Sequence, residues 1–431
     1  MQAYKDLAQY ALDALKRHGA EDASCYILHE AQTEANLENS EFSLLRTFST
    51  DTIVLKAVAG HKAGSTVATL LTKDAINHAA VQCTDKMKLA EPDTFEGIAE
   101  TPVRQSFESG SMEPDVDGML HNIMECVEHQ ASKSYEDPLS EYILSHKCKD
   151  EVCLNTNGVD LDSRLGYYAA GSRSGNLFMP NLSRSFAGFG DMGNPFDDAL
   201  RKEPVKPLGG KFEGSIVFTP RYLRLYWWLS HLVLFNPDAT TGENGCSKHL
   251  WADRFGKAVA SPCFSLSNRP MDERVCNASP FTYEGYLARN VELIRGGMLK
   301  ELLYPARYAR KLGKLPNIAP MDHSSDDVLS TNVFIEPGEQ SIREIIGGIK
   351  KGILVFSLPG GIPHNEEGTF SGIVRGGLLI EDGVVTRPVS EIMVTGNYYD
   401  MQKNIRGVSS EYRFAGGDLT PWIAFDGVNV Q

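Results

Sequence analysis

A chain of 431 residues with a net charge of −14 is long enough for two or three domains with sizeable cores. The acidic balance argues against a protein that grips nucleic acid through its phosphates, which needs clustered Lys and Arg. Hydrophobic and charged contents of 42% and 23% are ordinary for a globular protein, and no apolar run reaches the length of a membrane span. Residues 1–7 contain no apolar stretch, so no secretory signal is expected and the location predicted is cytoplasmic. The eight cysteines are scattered without a C-x-x-C pair, which predicts reduced, buried thiols rather than a metal knuckle.

Tyr4, Leu7, Ala8, Ala11, Leu12 and Leu15 recur at helical spacing, and Gly19 follows as a helix stop. From Ala23 to about Leu70 the pattern changes to alternation, with strands over 43–48, 52–58 and 65–70 and a turn at 60–64. Thr72 caps a second helix that buries Ala75, Ile76, Ala79, Ala80 and Cys83. Residues 91–118 are acidic and rich in Pro and Gly, and read as a linker or long loop. A third helix follows, with Leu120, Ile123, Met124 and Val127 inward. Asn157-Gly158 marks a hairpin, and 167–185 continue as strand and loop. The prolines and glycines of 202–210 place the main boundary there, giving an N-terminal region 1–204 and a C-terminal region 205–431.

The second region opens with a strand over 214–218 and then residues 219–237. Thr219 reads as an N-cap, Pro220 as the first helical residue and Asn236-Pro237 as the stop. Between them Leu223, Leu225, Tyr226, Trp227, Trp228, Leu229, Leu232, Val233, Leu234 and Phe235 leave little polar face, which predicts a buried helix. Beyond it, Arg295-Gly296-Gly297 signals a hairpin, 333–336 a short strand, and Ser341 with Glu344 a capping box. Strands are predicted over 353–358, 369–375, 377–380 and 384–390, with glycine turns between them. The fold class read from this pattern is α+β: a helix and antiparallel-sheet region, then a mostly antiparallel, glycine-rich β domain holding a buried helix.

The familiar chemical motifs are missing. Gly188-Phe-Gly-Asp-Met-Gly193 imitates a dinucleotide loop, but Asn194-Pro195 interrupts the helix it requires, so it reads as a flexible loop. There is no P-loop, no G-x-S-x-G elbow and no H-E-x-x-H. His231 is the only histidine on the apolar helix. His249, His323 and His364 lie in polar loops.

Several segments resemble the TldD/PmbA family, known also as modulators of DNA gyrase and as peptidase subunits. They are Tyr283-Glu-Gly285 through Arg295-Gly-Gly-Met298 to Leu302, then Ala309-Arg-Lys-Leu-Gly313, then Thr331-Asn-Val-Phe-Ile-Glu-Pro-Gly-Glu339. Gly368-Thr-Phe-Ser371, Gly376-Gly377 and 380–389 continue the likeness, and residues 49–64 resemble the family's first domain. The resemblance implies one of two branches. The catalytic, TldD-like branch carries H-E-x-x-x-H on the helix corresponding to 223–235 and a cysteine near the C-terminus. The PmbA- or TldE-like branch lacks them. Here His231 could only be the second histidine, Tyr226 and Trp227 take the other positions, and the last cysteine is Cys276. Trp has no lone pair to give a metal.

The resemblance therefore implies a non-catalytic subunit of a metallopeptidase complex acting on peptides or unfolded proteins. It implies no metal and no cofactor in this chain, with zinc expected only in a TldD-like partner. His364, Phe370 and Ser371 are the candidate substrate- or partner-binding residues, with Phe370 and Ser371 lining one internal face or cleft. Thr369 stands where the family pattern has Asp. Two other readings stay open. One is a homodimeric peptide-binding protein without a catalytic partner. The other is a stand-alone hydrolase with a non-metal nucleophile assembled from Ser371, His364 and Asp418.

Overall fold

The structure, a computed structural model, describes residues 1–39, 41–132, 141–174, 177–183, 205–220, 222–223, 254–277, 279–318, 332–361, 367–415 and 417–431. The α+β expectation holds. The chain forms two compact units, and neither is continuous in sequence. Unit 1 is Met1–Gly190 with Pro270–Arg289 and Tyr304–Asp326; unit 2 is Asp191–Arg269, Asn290–Leu303 and Asp327–Gln431. The contiguous regions 1–204 and 205–431 read from composition thus differ from the observed units by two excursions and by the main boundary, which falls after Gly190.

Unit 1 is built on long strands. Helix α1 (Gln2–Arg17) buries Ala8, Ala11, Leu12, Ala14 and Leu15. It ends in a full Schellman motif: the Ala20 N–H donates to the Leu15 carbonyl and the Gly19 N–H to Lys16, with Gly19 at φ +103°, where a side chain is disfavoured. Strands β1 (Asp22–Glu38), β2 (Glu41–Ala59) and β3 (Lys62–Ala68) follow as an antiparallel meander. Thr72 caps α2 (Lys73–Leu89) by accepting the Ala75 N–H at 3.2 Å. Next come β4 (Val103–Ser109), α3 (Val116–Ser132), β5 (Glu141–Asn155), β6 (Val159–Ser174) and β7 (Leu177–Ser183). The sheet order is β3-β2-β1-β5-β6-β4, and β7 pairs with β6. The α1 and α2 faces close over Cys25, Ile27, Ile53, Leu55, Val152 and Leu154 in one apolar cluster.

Two expectations are corrected here. Part of the stretch 91–118 is not a linker: β4 lies in it and pairs in parallel with β6. Among the described side chains of α3, Met119 and Ile123 are buried, Leu120 is half-buried and Met124 is 50% exposed, and Val127 lies outside the described side chains. Met119 and Ile123 are four apart and share a face; Met124 lies another 100° round the helix.

Both excursions are held by side chains of unit 1. Phe281 joins Tyr26, Val54, Cys153 and Leu161 in a second cluster. Helix α4 (Ala306–Leu312) presents Arg310, which donates to the carbonyls of Phe95 and Ile98, both at 2.9 Å, and to the Tyr286 hydroxyl at 3.0 Å. Arg307 pairs with Asp93 at 2.8 Å.

Unit 2 is a larger sheet of shorter strands. In order they are β8 (Phe212–Phe218), β9 (Leu266–Asn268), β10 (Val291–Arg295), β11 (Met298–Leu299), β12 (Val333–Ile335), β13 (Lys351–Ser357), β14 (Thr369–Val374), β15 (Gly376–Glu381), β16 (Val384–Val389), β17 (Ile392–Asn397), β18 (Ile405–Ala415) and β19 (Asp418–Val430). Most pairings are antiparallel; β8–β13 and β12–β19 are parallel. Gly296 and Gly297 both have positive φ, as a two-residue type I′ hairpin between β10 and β11 requires. Helix α5 (Ile342–Gly347) has the full capping box of Ser341 and Glu344, and α6 (Tyr398–Lys403) is capped by Asn397.

Strand β19 is the hub, bonded to β8, β12, β17 and β18. Pro421 lies within it and has no N–H to give to a ladder. The β18 register shifts between Val408 and Tyr412 at this point, and Ser409 Oγ accepts the Trp422 N–H at 2.9 Å. Trp422 then packs with Val217, Ile345, Ile346, Leu354 and Leu378.

Candidate functional site

The described residues include only the entrance of the apolar helix read over 219–237. Thr219 is its cap: its carbonyl accepts the Leu223 N–H at 2.8 Å and its hydroxyl the Tyr222 N–H at 3.5 Å. Tyr222 and Leu223 are buried. The remainder of that helix, with Tyr226, Trp227 and His231, lies outside the described residues. So do His249, His323, His364 and the glycine loop 188–193.

The entrance is tied to two neighbours within unit 2. Thr420, fully buried, donates to the Pro220 carbonyl at 3.1 Å. The Tyr222 hydroxyl donates to the Leu358 carbonyl at 2.9 Å, and burial pushes that phenol well above its ordinary pKa. Leu358 begins a turn in which the Gly361 N–H donates back to it at 3.0 Å. The turn lies along β14, accepting the Ile373 N–H at Pro359 and the Arg375 N–H at Ser357, both at 3.0 Å. A Cβ on Gly372 would sit 2.6 Å from the Gly361 nitrogen, so glycine is required for this approach. One chain of contacts thus runs from the helix entrance through residues 358–361 to β14.

On β14 the two predicted residues separate. Phe370 is 6% exposed, and its ring fills the space that a Cβ on Gly396 would occupy. Ser371 faces solvent. Neighbours on a strand project to opposite faces, so Phe370 and Ser371 do not line one face. The exposed face pairs Ser371 with Thr395 and Ile373 with Met393, and Ile373 and Met393 are 43% and 37% exposed.

A buried polar group, unread in the sequence, joins the strands beside this region. Asn332 is fully buried. Its backbone N–H donates to Asn268 Oδ1 at 3.1 Å and its Nδ2 to the Gly417 carbonyl at 3.2 Å. Asp418 accepts the Val333 N–H at 2.7 Å. Its carboxylate therefore fastens β12 to the start of β19. The available signal was Asn332 itself, a polar residue leading an apolar strand. A separate open cleft of about 690 Å³ lies at the other ends of these strands, lined by Lys350, Lys351, Glu381, Asp382 and Asp426 among others. Arg406 holds Asp426 through two 2.9 Å contacts, and Ser215 donates to the same carboxylate at 2.6 Å. Among the described residues no three His, Cys, Asp or Glu side chains are grouped as metal ligands.

Comparison with known proteins bears on the whole of this arrangement. Residues 228–431 match the family described as the PmbA/TldA metallopeptidase C-terminal domain. A metalloprotease PmbA homolog from Haemophilus influenzae is 22% identical over 426 residues, covering 92% of this chain and 88% of that one. These likenesses support membership of the TldD/PmbA family. A TldD/PmbA relative of known structure, TldE from Thermococcus kodakarensis, superposes with a TM-score of 0.81 at 20% identity and covers 99% of both chains, which shows the shared fold. A metalloprotease from Methanothermobacter thermautotrophicus is 28% identical over 166 residues, 38% of this chain. That match spans 36% of the archaeal protein's own length.

Proposed function

We propose that this chain is a non-catalytic subunit of a TldD/PmbA-type metallopeptidase assembly acting on peptides or unfolded proteins, in the PmbA- or TldE-like branch. The carrying observation is the donor set: Tyr226 and Trp227 stand where the H-E-x-x-x-H pattern ending at His231 has its first histidine and its glutamate, and no cysteine follows Cys276. Zinc hydrolysis needs lone-pair ligands, a polarised carbonyl and a base for the bound water, and these side chains do not fit that group. The metal belongs to a TldD-like partner in this reading.

The described helix entrance supports packing: Tyr222 and Leu223 are buried, and Tyr222 is tied to the 358–361 turn. The stand-alone hydrolase reading has less support, because Asp418 is engaged by the Val333 N–H. For peptide contact the exposed face of β14, with Ser371 and Ile373, is favoured over Phe370. A cytoplasmic setting is consistent with the free, buried thiols of Cys25, Cys83 and Cys153. Co-expression with an H-E-x-x-x-H relative from the same genome, followed by size-exclusion chromatography, tests the assembly. Co-elution is expected; separate elution of two folded proteins would rule the subunit role out.

A further inference from the structure

Cys148 of β5 stands directly opposite Gly166 of β6. The loop that leads from β4 to α3 lies flat on β6 at that point. A Cβ on Gly166 would sit 1.7 Å from the Ser111 carbonyl oxygen, and one on Gly110 would sit 1.8 Å from the Gly166 carbonyl oxygen. Only glycine at both positions allows so close an approach. His146 holds the loop from the sheet side. It precedes Cys148 by two residues and so shares its face, it is 2% exposed, and its Nε2 donates to the Ser111 carbonyl at 2.8 Å. The next residue of the loop is Met112, and its Sδ accepts the Cys148 thiol at 3.8 Å. Both residues are half-buried.

The two sulfurs say what fits between them. Thiolate and thioether are the soft donors among side chains, and together they favour copper(I) over hard cations. With metal–sulfur bonds of about 2.3 Å, two sulfurs 3.8 Å apart meet at one ion with an angle of about 110°, which suits a three- or four-coordinate centre. The next acidic side chain on this face, Asp150, is taken: Arg164 donates to it at 2.7 and 3.2 Å. Among the described residues no three His, Cys, Asp or Glu side chains are grouped as metal ligands, which counts against zinc with its four such donors. Charge points the same way. A monovalent ion that replaces the thiol proton leaves the net charge as it was, whereas a divalent ion would add a positive charge to a half-buried site. Burial, and after it Asp150, raises the Cys148 thiol above its ordinary range, so it is not an activated nucleophile.

We propose that Cys148 and Met112 form a binding site for a soft monovalent cation, copper(I) or silver(I). The thiol proton leaves to solvent as the Cys148 sulfur–metal bond forms, the Met112 thioether gives a lone pair, and nothing is oxidised or reduced. The site uses unit 1 alone and stands or falls independently of the subunit role.

Anaerobic titration of the purified full chain with copper(I), in competition with a colorimetric copper(I) chelator, tests it. The tightest site is expected to take one ion per chain. Met112→Leu leaves all eight cysteines in place and is expected to weaken that site by more than about tenfold. Cys148→Ser is expected to abolish it, and Cys263→Ser, which removes the exposed thiol, to leave it unchanged. Circular dichroism of each variant confirms that the fold is kept. X-ray absorption of the loaded chain is expected to show sulfur neighbours at about 2.3 Å, with one fewer in Met112→Leu. A wild-type chain that binds no copper(I) overturns the proposal. So does an affinity that is the same in Met112→Leu as in the wild type, which leaves the pair as a thiol–thioether contact. Loss of the tight site in Cys263→Ser, with Cys148→Ser unaffected, overturns it as well.

Discussion

Strands β2 and β19 are both long, 19 and 13 residues, and their surroundings are opposite. From Asp418 to Phe425 every residue of β19 is buried, and the strand bonds to four others. From Glu41 to Thr50 all but Leu44 of β2 are exposed. Burial on both faces gives β19 a continuous apolar run, Leu-Thr-Pro-Trp-Ile-Ala-Phe, of the kind parallel or central strands carry. Exposure on both faces lets β2 mix Phe, Leu, Ser and Thr without a core to satisfy. One strand fixes the architecture that holds the helix entrance and β14; the other is a surface. The same contrast appears on a smaller scale in β14, where Phe370 is core and Ser371 is surface.

Substitutions should reproduce that contrast. Trp422→Ala and Phe370→Ala each remove a buried aromatic ring and are expected to cost about 3–5 kcal/mol of stability. Phe48→Ala, on the exposed half of β2, should change the stability of the single chain by no more than about 0.5 kcal/mol. Chemical denaturation of the three variants checks this. If Phe370→Ala left stability unchanged, the assignment of that ring to the core would be lost and its role as a contact residue would return.

A smaller effect is expected at the caps. Ser341→Ala removes the hydroxyl that accepts the Glu344 N–H and donates to its carboxylate and should cost about 1 kcal/mol. The capping box also holds the Glu344 carboxyl below its ordinary value through hydrogen bonds from the Ser341 backbone and side chain, so the loss should be greatest at neutral pH and smaller in acid.

The smallest concerns the hold on the excursion through Arg307. Burial alone would raise the Asp93 carboxyl, but the Phe95 N–H and the Arg307 guanidinium together hold it below 3.8. Its contribution is present above that value and is lost as pH falls through the lowered pKa. Asp93→Asn should lower stability by up to about 1 kcal/mol at neutral pH, with the difference from wild type vanishing in strong acid. Thermal melts across the acid range measure it.

How much of this was legible depended on whether a feature was local. The α1 pattern, the Thr72 cap, the Asn157-Gly158 turn, the Gly296-Gly297 hairpin and the Ser341 capping box are set by residues within a few positions of one another, and each was readable. Strand β4 was not, because Val103–Ser109 is mostly exposed at a sheet edge and has no apolar alternation. Residues 392–430 gave no clear strand signal: β18 changes register beside Pro421, and β19 has no polar face to alternate with. The excursions were unreadable for a different reason. What assigns 270–289 and 304–326 to unit 1 is Phe281 in a distant cluster and Arg310 on the carbonyls of Phe95 and Ile98, and carbonyls have no sequence signature. At β14 the pattern named the strand correctly, yet alternation placed its two candidate residues on opposite faces. His364, the third, lies outside the described residues.

The central claim, that this chain contributes an assembly partner rather than a metal centre, is tested most directly by a peptide-cleavage assay. Three samples are compared: this chain alone, an H-E-x-x-x-H relative alone, and the two co-purified. The account predicts no cleavage by this chain, strong cleavage by the pair, and loss of that activity on chelation. Cleavage by this chain alone, or equal cleavage by the relative without it, would contradict the account.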